Sequence, residues 1–280
     1  MKTLFRKLLS KPMENALRSA LESWRLKRVP LQKADATPLP DSSAIAFDKL
    51  FREEDLGEEW EAAKKAISCV FEYVDKGGAI NPGDRQTIYY LVRRFKPQSL
   101  LEVGTHLGGS TLHIAMAMKA NRHAGATSRL ITLDIDDVND PEAHLWTNYG
   151  VSASASTMLA QLDCAELVTF TVAQSLDYLA RTRKSFDFIF LDGSHEARVV
   201  YQEIPLALNK LRSGGCLLMH DYFPKGQPLW TNGVVIPGPF LAVDRLSQDD
   251  SRIAALPLGA LPWPTKLGSN VTSLAILVKA

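Results

Sequence analysis

Four acidic residues of this chain stand at or just before the end of short apolar runs: Glu102 in SLLEV, Asp134 in LITLD, Asp192 after FDFIFL and Asp221 after CLLMH. One carboxylate at a strand end is ordinary, but four brought to one edge of a sheet would repel one another unless positive charge lay between them. Such an edge invites the holding of a cation, organic or metallic. A glycine-bearing turn, Gly104-Thr105-His106-Leu107-Gly108-Gly109, follows the first run and leads into Ser110 and Thr111, where a helix should begin. Glycines let the backbone approach a ligand closely, and a helix N-terminus offers free N–H groups to it. The spacing excludes two phosphate chemistries. A dinucleotide turn needs G-x-G-x-x-G and a P-loop needs G-x-x-x-x-G-K-[ST]; this stretch has neither spacing and no lysine.

The segment 102–111, EVGTHLGGST, resembles motif I of the class I S-adenosylmethionine (SAM) dependent methyltransferases, in the form seen in catechol- and caffeoyl-type O-methyltransferases. The resemblance implies that Glu102 and the turn residues Gly104, Thr105, His106, Gly108 and Ser110 hold the amino-acid end of SAM, whose ammonium lies beside the sulfonium. It places Asp134 on the ribose hydroxyls and Gln174 and Ser175 at the adenine edge. Taken as bare residues, Asp134 has a helix cap as its lesser reading, and Ser175 reads equally as an N-cap.

A second stretch, 186–223, FDFIFLDGSHEARVVYQEIPLALNKLRSGGCLLMHDYF, is similar to the methyltransferase 24 group and to macrocin-type tailoring enzymes. Asp192-Gly193-Ser194-His195, Gly214-Gly215 and His220-Asp221 carry that likeness. In metal-using relatives the acids at these two strand ends bind Mg²⁺, which implies Asp192 and Asp221 as ligands with His220 beside them. A histidine at a place where some relatives have a carboxylate leaves Mn²⁺, or no metal, as alternatives. His195, with Asp192 as substitute, is the candidate general base. As a bare residue, His195 reads equally as the start of a helix.

The elements that must position these residues appear as an alternation of apolar runs and helical patterns. Strands are predicted at 99–103, 130–133, 167–172, 186–191 and 216–219, and helices at 112–119, 176–183 and 197–211. Continuous apolar strands between helices indicate a parallel sheet covered on both faces. A helix around 240–246 and two strands near 253–258 and 273–278 complete the chain, and by resemblance the last strand inserts antiparallel. The expected fold is α/β: a Rossmann-like doubly wound sheet of about seven strands with a helical N-terminal extension. The methyltransferase domain is expected over 81–280. The extension, 1–80, has a linker near 34–43, one or two helices over 44–74, and Gly77-Gly78 as a stop. Asn81-Pro82-Gly83-Asp84 reads as a turn before a helix over 85–94.

Across 280 residues, 46% of them apolar, one domain with an extension is the natural reading. Lys plus Arg number 32 against 31 acids, and a net charge of +1 gives no general reason to expect nucleic acid as partner. Cys69, Cys164 and Cys216 lack C-x-x-C spacing and read as reduced thiols of a cytoplasmic protein. Residues 1–33 carry nine Lys or Arg against Glu14 and Glu22, interleaved with leucines and Trp24, and are interrupted by Pro12. That pattern predicts a basic helix packing on the domain or on a partner subunit, with an amphipathic helix in peripheral membrane contact, or a transit peptide, as its other readings; a homo-oligomer is a further expectation for the chain. No apolar run reaches the ~18 residues of a membrane span. The implied activity is methylation of a hydroxyl on a small molecule or sugar. The alternatives are a catalytically silent SAM-fold binding or scaffolding module, and an NAD-dependent oxidoreductase that the glycine spacing disfavours.

Overall fold

Successive residues of the central strands feed two different hydrophobic cores. In β1 (Ser99–Val103), Leu100 belongs to one core and Leu101 and Val103 to the other. In β4 (Phe186–Leu191), Phe188 and Phe190 alternate with Ile189 and Leu191 in the same way. Side chains alternate across a strand, so a sheet buried on both faces requires apolar residues at every position. The computed structural model describes residues 10–33, 39–51, 56–72 and 80–279.

With β2 (Arg129–Asp134), β3 (Val168–Val172), β5 (Leu211–Met219), β6 (Ile253–Pro257) and β7 (Ala275–Lys279), the seven strands lie in the order β3-β2-β1-β4-β5-β7-β6. Strand β7 is antiparallel to both its neighbours, and the other pairs are parallel. Residues of α2 (Gly57–Ser68), α3 (Pro82–Phe95), α4 (Gly109–His123) and α5 (Ala155–Gln161) build the first core. Those of α6 (Ser175–Arg181), α7 (Ala197–Leu208) and α8 (Pro237–Asp249) build the second. An N-terminal helix, α1 (Lys11–Leu26), contributes Leu26 to the second core.

Three local expectations are corrected. Pro12 does not interrupt α1 but lies in its first turn, where a missing N–H costs nothing. The helix predicted over 197–211 stops at Leu208, and Gly214-Gly215 is not a free turn but part of β5. Phe186 pairs with Leu211 and Phe188 with Cys216, so extra residues bulge out of the ladder, and Gly214 supplies the positive φ of 78° found there. The predicted linker ends in structure: Leu39 is buried, Asp41 bridges to Lys279, and the Lys279 N–H donates to Pro40. Residues 34–38, 1–9 and Gly77-Gly78 lie outside the described residues.

Among the described residues no helix is long and apolar enough to cross a membrane. The separateness of the extension is open to a direct test. Deleting residues 1–33 should leave a cooperative melt, lowered by about 2–3 kcal/mol for the lost burial of Leu26. A truncated chain without a cooperative transition would make the extension an integral part of the fold.

Candidate active site

The chain leaves β1 for β2 on one side and later adds β4 on the other, so a crevice opens between them at the carboxyl ends of the strands. A cavity of about 1180 Å³ occupies that crevice. The predicted site residues Gly104, Thr105, His106, Ser110, Asp134, Gln174, Ser175, Asp192, His195, His220 and Asp221 line it, whereas Glu102 and Gly108 do not.

Glu102 is fully buried beneath the turn. Its carboxylate accepts from Ser110 Oγ (2.5 Å), Thr111 Oγ1 (2.6 Å) and Thr132 Oγ1 (2.7 Å). Burial pushes its pKa up to about 7 against the pull of these three hydroxyls. Instead of facing a ligand, the side chain ties the first turn of α4 to β1 and β2. Gly108 caps α4 in the left-handed conformation, and an added Cβ would sit 2.8 Å from that of Ala155.

The turn itself is fixed by backbone bonds. The N–H groups of Gly104 and Thr105 both donate to Leu133 O, at 2.9 and 3.1 Å. His106, at a positive φ of 46°, donates its N–H to Asp134 Oδ2 at 2.8 Å and sets its ring edge-on to Tyr149. Burial lowers the His106 pKa, opposed by the charges of Asp134 and Asp192. Asp134 therefore braces the turn while it faces the cavity.

Gln174 caps α6, and Ser175 behind it donates its hydroxyl to Glu203, a buried residue of α7. Burial raises the Glu203 pKa to about 7, partly offset by Ser175. A folded pKa above the unfolded 4.5 contributes stability that is complete below pH 4.5 and lost as pH rises through about 7. Glu203→Gln should therefore stabilise the chain above pH 7 by up to ~3 kcal/mol, with the gain vanishing in acid. Thermal melts across pH check this, and a gain that persists below pH 4.5 would contradict it.

At the ends of β4 and β5 the structure brings together Asp192, His195 and Asp221, whose ligand atoms lie within 4.8 Å of one another. His195 Nε2 is 3.6 Å from Asp221 Oδ2. His220, expected with the metal ligands, is engaged elsewhere. Its Nδ1 lies 3.0 Å from Asp192 Oδ1 and its Nε2 3.0 Å from Asp84 Oδ2. Burial disfavours its charged form, but the charges of Asp192 and Asp221 and the hydrogen bonds to Asp192 and Asp84 outweigh that and hold its pKa well above the ordinary value. A doubly donating imidazolium has no lone pair for a metal.

Asp84 is the functional-site neighbour that the sequence reading missed. It is fully buried and also accepts from Asn81 Nδ2 (2.6 Å) and Thr272 Oγ1 (2.5 Å). The Asn81-Pro82-Gly83-Asp84 turn is in fact the N-cap of α3, with Asp84 N–H donating to Asn81 Oδ1.

Residues 101–222 match the family Methyltransf_24, a methyltransferase domain. This segment is a methyltransferase domain. The chain also resembles the SAH-bound methyltransferase PaMTH1 of Podospora anserina, with a TM-score of 0.50 and 18% identity over 82% of this chain and 89% of that one. The O-methyltransferase TomG of Streptomyces achromogenes, involved in tomaymycin synthesis and solved with SAM, gives 0.51 and 18% over 84% of this chain and 100% of TomG. At these identities the likeness to both is one of fold, and the methyltransferase topology with β7 inserted antiparallel is common ground.

Proposed function

We propose that this methyltransferase transfers the methyl group of SAM to a hydroxyl of a small molecule, with a divalent cation held by Asp192, His195 and Asp221. The observation that carries the reading is the meeting of those three ligand atoms within 4.8 Å in the same cavity as the Gly104 turn. TomG, an O-methyltransferase of similar fold, supports the choice of oxygen as nucleophile.

Methyl transfer is an in-line displacement at a sulfonium, so the protein's work is to position two ligands and to remove the acceptor's proton. In this reading Gly104, Thr105, His106 and Ser110 cradle the methionine part of SAM, Asp134 accepts from the ribose hydroxyls, and Gln174 and Ser175 meet the adenine edge. The mixed oxygen and nitrogen donor set fits Mn²⁺ at least as well as Mg²⁺, which prefers oxygen alone. Such an ion, when bound, supplies Lewis acidity that lowers the pKa of the acceptor hydroxyl. His195, beside Asp221 and half exposed, is the group placed to take the proton in a metal-free reaction. A cytoplasmic setting fits the three unpaired thiols.

Turnover with a panel of catechols and sugars tests the reading. EDTA should abolish it, Mn²⁺ or Mg²⁺ should restore it, and Asp221→Asn should remove it while calorimetric SAM binding persists. Full turnover in EDTA would remove the metal and make His195→Ala the damaging change. A chain that does not bind SAM at all would overturn the whole reading.

A further inference from the structure

Helix α1 is amphipathic the wrong way round for a helix that merely packs on its own domain. Its inward contacts are largely polar: Asn15 Nδ2 donates to Gly233 O at 2.8 Å, Arg18 to Val235 O at 3.4 Å, and Glu22 accepts from Ala197 N–H at 2.8 Å. The outward face is Met13, Ala16, Leu17, Ala20, Leu21 and Trp24, spaced three and four apart and all exposed, with Leu17 at 62% and Trp24 at 52%. Such a continuous apolar stripe on a surface marks a contact with something else. Flanking it, Lys27, Arg28 and Lys33 are exposed and meet no carboxylate among the described residues, and Arg28 stacks on the Trp24 ring at 3.4 Å.

We propose that this face docks on an anionic lipid surface. Charge decides between the two occupants that an apolar stripe invites. Residues 1–33 hold nine Lys or Arg against two Glu in a chain whose total is only +1, so the positive charge is concentrated on this segment and the rest carries the compensating acids. Two copies of so basic a segment would repel each other face to face, while an anionic headgroup layer attracts it. Size points the same way. A 16-residue helix is about 24 Å long and about 10 Å across, so its outer face falls well short of the ~800 Å² per partner of a specific dimer. It matches the shallow insertion of an interfacial helix, with Trp and Leu below the headgroups and basic residues among them.

The dock sits beside the cavity. The backbone that Asn15 and Arg18 hold belongs to the segment whose Asn232 and Ile236 line the cavity, and Glu22 holds the start of α7 next to the lining residues His195 and Glu196. A lipid surface bound by the outer face of α1 therefore lies about one helix diameter from that part of the cavity wall. The inference is independent of the reaction proposed above.

Co-sedimentation of the full chain with vesicles of phosphatidylglycerol and phosphatidylcholine in equal parts, and with phosphatidylcholine alone, tests it. The wild type should bind the anionic vesicles, less so as salt rises, and bind the neutral ones weakly. Leu17→Glu/Leu21→Glu should lower the partition about tenfold or more with an unchanged melt, because both side chains are already in solvent. No wild-type binding to the anionic vesicles at low salt, or equal binding by the variant, overturns the proposal. So does a wild-type dimer in analytical ultracentrifugation that the variant breaks with no vesicle binding by either.

Discussion

Gly104→Val should abolish SAM binding, the largest effect expected of any single change in the cavity wall. Two independent costs meet at this position. The backbone stands at φ 98°, a region that a β-branched residue enters only under strain of about 1–3 kcal/mol. An added Cβ would also lie 2.4 Å from Asp192 O and 2.8 Å from Gly193 Cα. Those are backbone atoms at the end of β4, so no side chain can swing away to make room. Either the turn leaves Leu133 O, to which its N–H groups donate, or the end of β4 moves and takes Asp192 with it. Adding the ~1–3 kcal/mol of overpacking, the variant should lose about 2–6 kcal/mol of stability together with its ligand site. Gly125→Ala is the control: its φ of 90° is as unusual, but nothing lies within 4 Å of the new Cβ. That variant should lose about 1–2 kcal/mol and bind SAM as the wild type does. Calorimetric titration of both separates a close approach from backbone strain, and tight SAM binding by Gly104→Val would sink the site assignment.

What the sequence made legible follows from how its signals are generated. Strands β1 and β4 announce themselves because burial on both faces leaves every position apolar, and that signal is local. The Gly104 turn is equally local in its signal, since a positive φ of 98° selects glycine, although the Asp192 backbone it approaches lies 88 residues away. Glu102 was legible as important but not as buried. Ser110 and Thr111 read as helix-start hydroxyls, and the third hydroxyl on Glu102 comes from Thr132, 30 residues away on the next strand. Glu203 carried a signal that could have been used: it lies on the stripe of α7 with Val200, Ile204 and Ala207, so a helical wheel puts a carboxylate among buried residues. The partnership of Asp84 with His220 had no such signal. They are 136 residues apart, one in the first turn of α3 and the other just past the end of β5, and a turn-forming NPGD hides the acid in a bland local reading.

That hidden pair sets the second large expectation: His220→Ala should cost about 3–5 kcal/mol, as expected when one partner of a buried ionic cluster is removed. The imidazolium lies between Asp84 and Asp192, with Asp221 Oδ1 also 3.5 Å from Nδ1. Truncation would leave Asp84 fully buried, with Asn81 and Thr272 as its remaining side-chain donors among the described residues. Asp84→Asn removes that charge but keeps the His220 contact to Asp192, so it should cost less, about 1–3 kcal/mol. The decisive quantity is the double variant. If the penalty of His220→Ala is the orphaned carboxylate, then Asp84→Asn relieves it, and the two changes together should cost at least ~1 kcal/mol less than their sum. Denaturant unfolding at neutral pH of the wild type, both single variants and the double variant gives this coupling. Additivity within ~0.5 kcal/mol would mean that His220 stabilises the chain by packing alone, and that Asp84 and Asp192 tolerate burial without a shared cation.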